Sequence, residues 1–294
     1  MSSSSKPTRV QMKVLKAVHN QAAMARLMQD RANAREQTTG QARPNSWYED
    51  FHGHALLRQQ LENAAAAAAI PTAWIDQCRE RGDFGMRWRA DLHWREPALV
   101  PRNQFVAELE GQVRHLQGMA AVAAVYGEIG ARAEVGTAQL FDRKLRVLAQ
   151  HARAIASVLT ISAEEADRLW GEHTWDAAAA TVRDLDAAAL GKWWRGYAGI
   201  YTTDLALQTK ALGDVGLPAE GGVWERMTPA HMIDEIRTRL SATPHEPGAD
   251  TPPGTQITEA IEVAGIPDGV DTPLDIDTTV SHAPAREATP GIEL

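Results

Sequence analysis

A single cysteine, Cys78, is all the thiol chemistry in 294 residues. It excludes an internal disulfide and any multi-cysteine zinc site. Its place beside Ile75 on an expected helix suits a small buried hydrophobe, and the neighbouring Asp76 and Glu80 oppose a reactive thiolate. Lysine is scarce as well: only Lys6, Lys13, Lys16, Lys144, Lys192 and Lys210 stand among thirty basic residues. No apolar run approaches the ~20 residues that a membrane span requires, and the stretch 1–7 lacks the apolar core of a secretion signal. A cytoplasmic protein without a membrane partner is expected. Also missing are a Gly-rich phosphate loop, His-Glu-x-x-His, Gly-x-Ser-x-Gly and any Cys–His pair at catalytic spacing. His52-Gly53-His54 is the nearest thing to a metal pair, but residues two apart on a helix point about 200° away from each other. An enzyme is therefore the least supported class. No cofactor and no metal are expected.

What is there is helical. Residues 103–160 read as one long antiparallel hairpin. Val106, Leu109, Val113, Leu116, Ala120, Ala123, Gly127 and Gly130 alternate at spacings of three and four, and Ala138, Phe141, Leu145, Leu148, Ala152, Ile155 and Leu159 repeat the alternation. Such narrow stripes bury against another helix, as in a coiled coil. The break is read at Glu134-Val135-Gly136-Thr137, with Gly136 as a left-handed C-terminal cap and Thr137 as the next N-cap. Phe141 is expected to face the small residues of the first arm.

The apolar fraction of 44% is that of a globular chain, and the net charge of −8 conceals a polarity. Residues 1–43 carry eight Lys or Arg against Asp30 and Glu36, while residues 241–294 carry ten acids against Arg286 alone. A basic head and an acidic tail point to interaction partners. Residues 8–37, without Gly or Pro, read as a helix with an apolar strip at Leu15, Val18, Ala22 and Ala25. Arg9, Lys13, Lys16, Arg31 and Arg35 fall on the other side, either as a solvated face or as an arm along phosphates, and Met24, Leu27 and Met28 interrupt it. A second helix follows from Trp47, with Ser46 as N-cap, to about Ala69. Pro71 opens a third that runs to Arg81 and stops at Gly82.

At this junction Ala65, Ala69, Ile70, Ile75 and Cys78 fall where a bacterial helix-turn-helix places its small residue, turn residue and apolar contacts. The segment resembles that motif over about twenty residues, with Ala69 standing where Gly is usual. The resemblance implies that Thr72, Ala73, Asp76, Gln77 and Arg79 face a major groove, where Gln77 would read adenine and Arg79 guanine. Residues 83–102 interleave Trp88, His93 and Trp94 with Arg87, Arg89 and Arg95. That pattern suits a single-strand or phosphate surface, or a loop packed over the hairpin with its arginines paired to Asp83, Asp91 and Glu96.

Beyond the hairpin, Ser162-Ala-Glu-Glu is a capping box opening a helix to Trp170. Thr174 is read as the cap of another helix to Asp186, and a longer one is expected from Ala187 to Leu212. Five of the nine tryptophans, at 170, 175, 193, 194 and 224, lie in this half and read as core. A Gly-rich connection over 213–222 precedes a last helix from Thr228-Pro229 to Leu240. After Ser241, eight prolines, many acids and no aromatic residue predict a disordered tail with small apolar islands such as Ile257, Ile261 and Leu274.

The reading is thus all-α, with a long antiparallel helical hairpin, a Trp-rich helical cluster and a disordered acidic tail. Its parts are a basic amphipathic head (1–45), a helix-turn-helix-like pair with the Arg/Trp loop (46–102), the hairpin with its cluster (103–240) and the tail (241–294). The order "WID", "RERG", "RW" ahead of a long hairpin resembles uncharacterised helical proteins carried by plasmids and phages of high-GC bacteria, over residues 47–170. Two functions are expected as alternatives. One is a non-catalytic scaffold or adaptor that binds a protein partner or itself. The other is a DNA-binding accessory protein of a mobile element contacting nucleic acid through Gln77, Arg79, Arg87, Arg89, Lys13 and Lys16.

Overall fold

The computed structural model describes residues 6–98, 101–129, 135–216 and 228–242. They belong to a unit spanning Met1–Pro247, and the remainder, Gly248–Leu294, lies outside the described residues together with the tail expectations that fall on it. Among the described residues there are ten helices and no strand: α1 (Arg9–Thr39), α2 (Asn45–Ala67), α3 (Thr72–Asp83), α4 (Arg102–Ile129), α5 (Val135–Leu159), α6 (Ala163–Trp170), α7 (Glu172–Arg183), α8 (Ala187–Gly199), α9 (Thr203–Asp214) and α10 (Pro229–Ala242).

The hairpin α4–α5 is the centre. Its described seam residues Val106, Leu109, Val113, Leu116, Ala120 and Ala123 are all buried, as are Phe141, Leu145, Ala152, Ile155 and Leu159 opposite. The burial of Gly127 and all of Gly130 lie outside the described residues. The stripe widens along α4, where Gln117, Met119 through Ala124 and Tyr126 are buried as well. A helix apolar on every side must be covered on every side, and α4 packs against α5, α7, α8 and α10. Alanine makes this crowding feasible, because it combines high helix propensity with a side chain short enough for close neighbours.

Four boundaries differ from the expectation. Helix α5 begins at Val135, so Gly136 and Thr137 sit inside its first turn, and the break falls before them at residues outside the description. Pro44 occupies the N-cap position of α2, which makes Ser46 a helical residue. Thr174 likewise lies within α7, whose N-cap is Gly171; its hydroxyl donates to the Gly171 carbonyl at 2.8 Å. The long helix expected over 187–212 is two helices. The weak helix former Gly199 ends α8, Ile200 is extended (φ −58°, ψ 134°), and Thr202 starts a new turn by accepting from the Ala206 N–H at 2.9 Å. This bend sends α8 onto α4 and α5 and lets α9 reach α2.

The aromatic cluster is core. Phe141 stacks on Trp194 of α8, with centroids 3.9 Å apart and planes 3° from parallel, and Tyr126 and Tyr197 flank the pair. Trp170, Trp175 and Trp194 are buried and Trp193 is half-buried. The Ser162–Glu165 capping box forms as read, with both reciprocal hydrogen bonds present. Thr228 accepts from the His231 N–H at 3.3 Å ahead of α10.

Candidate functional site

The residues suited to nucleic-acid contact divide between α1, α3 and the loop after it. Of the residues that fall at the helix-turn-helix spacing, Ala65, Ile70, Ile75 and Cys78 are buried. Burial also pushes the Cys78 thiol up to about 12, which keeps it inert. Ala69 adopts the left-handed conformation (φ 59°), and the Ile70 N–H bonds back to the Ala65 carbonyl at 3.0 Å, closing α2 as Gly would.

The reading face is occupied. Gln77 donates to the His93 carbonyl at 2.8 Å and accepts from the Arg95 N–H at 3.1 Å, so its amide is spent on the backbone of the following loop. Arg79 is clamped between Glu62 on α2 (3.2 Å) and Asp76 (2.6 Å). Partial burial lowers its pKa and the two carboxylates more than reverse this, so the charge is spent within the fold.

The loop packs on α1 and α3. His19 lies 2.8 Å from the Met86 carbonyl, Trp74 donates to the Arg95 carbonyl at 2.9 Å, Trp88 meets the His19 ring edge-on, and Trp94 tilts against Trp74. Arg95 pairs with Glu80 and Arg89 with Asp91, while Asp83 pairs with Arg58 of α2. Arg87 is exposed. On α1, Lys13 donates to the Gly216 carbonyl at 3.2 Å, and Lys16 is exposed. The structure therefore gathers Gln77, Arg79 and the loop around α3 but ties most of their polar groups to protein partners.

His52 and His54 sit on an unbroken α2, and His54 lies 3.3 Å from Gln21 of α1. No metal-holding group of three or more His, Cys, Asp or Glu occurs among the described residues. A polar chain runs inside the body from His151 through Gln208 (2.9 Å) and Gln60 (3.1 Å) to Asp204 (3.3 Å), linking α5, α9 and α2. Burial holds the His151 imidazole below its ordinary pKa, and its Nδ1 is buried without a partner. Its geometry is that of a fastener between helices.

Among the described residues, four of the eight exposed large apolar side chains, Met24, Leu27, Tyr48 and Leu56, lie on the α1–α2 pair. Buried residues stop at Ala22 on α1 and resume at Gln60 on α2; no side chain from Ala23 to Gln59 is buried among the described residues. The segment stays paired: Arg43 bonds Asn33 and bridges Glu36 near the tip, and His54 meets Gln21 at the base. Beyond Arg26 it extends about 20 Å at 1.5 Å per residue. Half-buried Trp47 and Phe51 stack at 5.0 Å, with Arg43 over the Trp47 ring, while Met24, Leu27, Tyr48 and Leu56 are 40–45% exposed. The signal was in the sequence as Met24, Leu27 and Met28 interrupting a basic face.

Fold and surface together define an all-helical protein with a buried central hairpin and an exposed two-helix arm. Comparison of the chain with protein-family models, curated proteins and solved structures returns no match.

Proposed function

We propose that this protein is a non-catalytic helical scaffold or adaptor that binds a protein partner or itself. The α1–α2 arm carries the proposal: apolar side chains are held in solvent on helices whose other ends are locked into the core. Anchorage makes such a surface useful, because a preorganised helical face loses little conformational freedom on binding. At its base Gly82 of α3 lies so close to α1 that an added Cβ would come within 2.6 Å of the Ala22 Cβ. Arg58 and Glu62 tie α2 to Asp83 and Arg79. The central hairpin buries most of its described seam within its own chain, so the binding surface is placed on the arm.

The alternative, a DNA-binding accessory protein of a mobile element, is favoured by one observation: Ala69 takes the left-handed turn conformation that the helix-turn-helix spacing needs. Against it stand the internal bonds of Gln77 and Arg79.

Fluorescence anisotropy with duplex and single-stranded DNA at about 50 and 200 mM salt separates the two, because phosphate contacts lose affinity steeply with salt. No salt-sensitive binding is expected. Salt-steep binding that weakens in Lys16→Ala and Arg87→Ala would overturn the scaffold reading in favour of DNA.

A further inference from the structure

Helix α9 joins two parts of the fold that otherwise touch little. It packs on α5 of the central hairpin and on α2, whereas α1 and α2 meet α5 directly at only a few points. Lys13 of α1 adds a bond to the Gly216 carbonyl just past its end. Yet α9 is lightly held. Ala211 and Leu212 are its only buried side chains, and residues 203–209 are exposed or half-buried. The chain enters it through the bend at Ile200 and leaves it through Gly216, whose φ of 68° is left-handed.

The polar chain His151–Gln208–Gln60–Asp204 crosses this joint, and its far end fixes its direction. An ionised Asp204 only accepts, so Gln60 Nε2 donates to it and Gln60 Oε1 accepts from Gln208 Nε2. Gln208 Oε1 is left to accept from His151 Nε2, which therefore carries the proton of the neutral ring. The other nitrogen, Nδ1, is then a bare lone pair, buried without a partner in a residue 2% exposed. An added proton has to go there, where it buries a charged N–H with no acceptor. Nothing nearby offsets that charge. Burial and the bond to neutral Gln208 act on the ring; among the described residues no ionised group of α1, α2, α4, α8, α9 or α10 bears on it, Asp204 included.

We propose that α9 is an acid-released strap: protonation of His151 at Nδ1 lifts α9 from α5 and frees α1–α3 from a central hairpin that stays folded. Lifting α9 gives Nδ1 access to water and takes only Ala211 and Leu212 out of the core. Moving α4 instead would uncover the apolar seam from Leu109 to Tyr126, so α9 is the side that yields. In the open form the ring regains the ordinary 6.5 of an imidazole, whereas burial holds it lower in the closed form. Below 6.5 the open form therefore binds the proton better, and opening gains up to about tenfold per pH unit until the closed value is reached. The arm is thereby coupled to pH whichever partner it takes, so the strap goes beyond the scaffold reading and does not depend on it.

The test is hydrogen exchange of the full chain at about pH 7.5 and about pH 5.5, with labelling times matched to the intrinsic chemistry. Opening of α9 is expected to rise severalfold, up to about tenfold, between the two, with α1–α3 following while α4 stays protected. His151→Gln keeps an amide donor for Gln208 Oε1 and cannot take up a charge, so it is expected to abolish the rise. No change in α9, a loss of protection spread evenly over α4 and α9, or a rise that survives His151→Gln would overturn the proposal. Where the substitution itself loosens α9 at about pH 7.5, the ring of the unaltered chain decides. Nitrogen NMR is expected to find His151 protonated on Nε2 at about pH 8 and titrating below 6.5 in step with the loss of protection in α9. A proton on Nδ1 at that pH, or a midpoint at 6.5 or above, would overturn the strap.

Discussion

Two helical hairpins in this chain share a topology and differ in almost everything else. In α4–α5 the buried positions run nearly the length of both helices, and seven further helices pack on the pair. In α1–α2 burial covers only the base. Composition explains the contrast. The stretch Gly118–Tyr126 is small and apolar on all sides, which leaves burial as its only favourable environment. The arm alternates Met, Leu and Trp with Arg, Gln and Asp, so each helix can face water on most of its circumference. Chain pairing alone does not create a core; the number of apolar sides on each helix decides how many neighbours it recruits.

The largest effect should separate the two hairpins outright. Phe141 is fully buried and stacked on Trp194. Phe141→Ala removes that contact and leaves a cavity, at an expected cost of about 3–5 kcal/mol. Leu27→Ala in the arm, measured below any association, should cost less than ~0.5 kcal/mol. Urea unfolding of both variants checks the contrast, and similar costs would mean that the arm is held by more than α1 and α2.

Next comes the joint between arm and body. Gly82→Val would push a branched side chain into Ala22, and with no room for it α1 must lift from α3, at about 1–3 kcal/mol. Hydrogen exchange should then speed up in α1 and α2 while α4 and α5 stay protected. Uniform loss of protection would show that arm and centre unfold as one unit.

The body also carries a pH dependence. Burial lowers the pKa of both His115 and His151 below the ordinary 6.5. The unfolded chain therefore binds protons first as pH falls, and stability is drawn away from the folded state. Their contribution is complete above about pH 6.5 and is lost as pH drops through the lower folded values. A thermal midpoint level from pH 8 to 7 and falling below 6.5 is expected. His151→Gln, which keeps a hydrogen-bonding partner for Gln208, should flatten the fall. An unchanged slope would place the titration elsewhere.

Periodicity made the central hairpin legible, because an apolar residue at a three-four spacing reports its own burial; the seam from Val106 to Ala123 came out buried, as did Phe141, Leu145, Ala152, Ile155 and Leu159, while Ala138 and Leu148 are half-buried. Punctuation was less legible. Gly136 and Thr137 have the chemistry of a turn, yet helix initiation accommodates both, so the break moved a few residues earlier. The bend at Ile200 has no proline to announce it and depends on where α8 and α9 find partners. The partners of Gln77 and Arg79 were illegible for the same reason: His93, Arg95 and Glu62 lie 16–18 residues away, and no spacing rule reports a hydrogen bond made through tertiary folding. The arm was half visible, since Met24, Leu27 and Met28 stood out as misplaced on a basic face.

The smallest prediction compares the two hairpins at their last turns. Both α2 and α5 close on a left-handed residue that is not glycine, Ala69 (φ 59°) and Thr160 (φ 51°), with a backbone N–H reaching back across the turn from Ile70 to Ala65 and from Ile161 to Ala156. A Cβ in that region costs about 1–2 kcal/mol, and glycine returns part of the gain through its freer unfolded chain. Ala69→Gly should therefore stabilise the protein by roughly 0.5–1 kcal/mol, read as a higher urea midpoint with an unchanged slope. Thr160→Gly should gain less than its strain suggests, because the Thr160 hydroxyl donates to the Leu159 carbonyl at 2.7 Å and glycine forfeits that bond. A loss of stability in Ala69→Gly would mean that the methyl group fills space at the α2–α3 junction, where partly buried Ala69 packs against the core. The turn would then be set by packing, and the joint that fixes the arm to the body would depend on the side chain more than on the backbone.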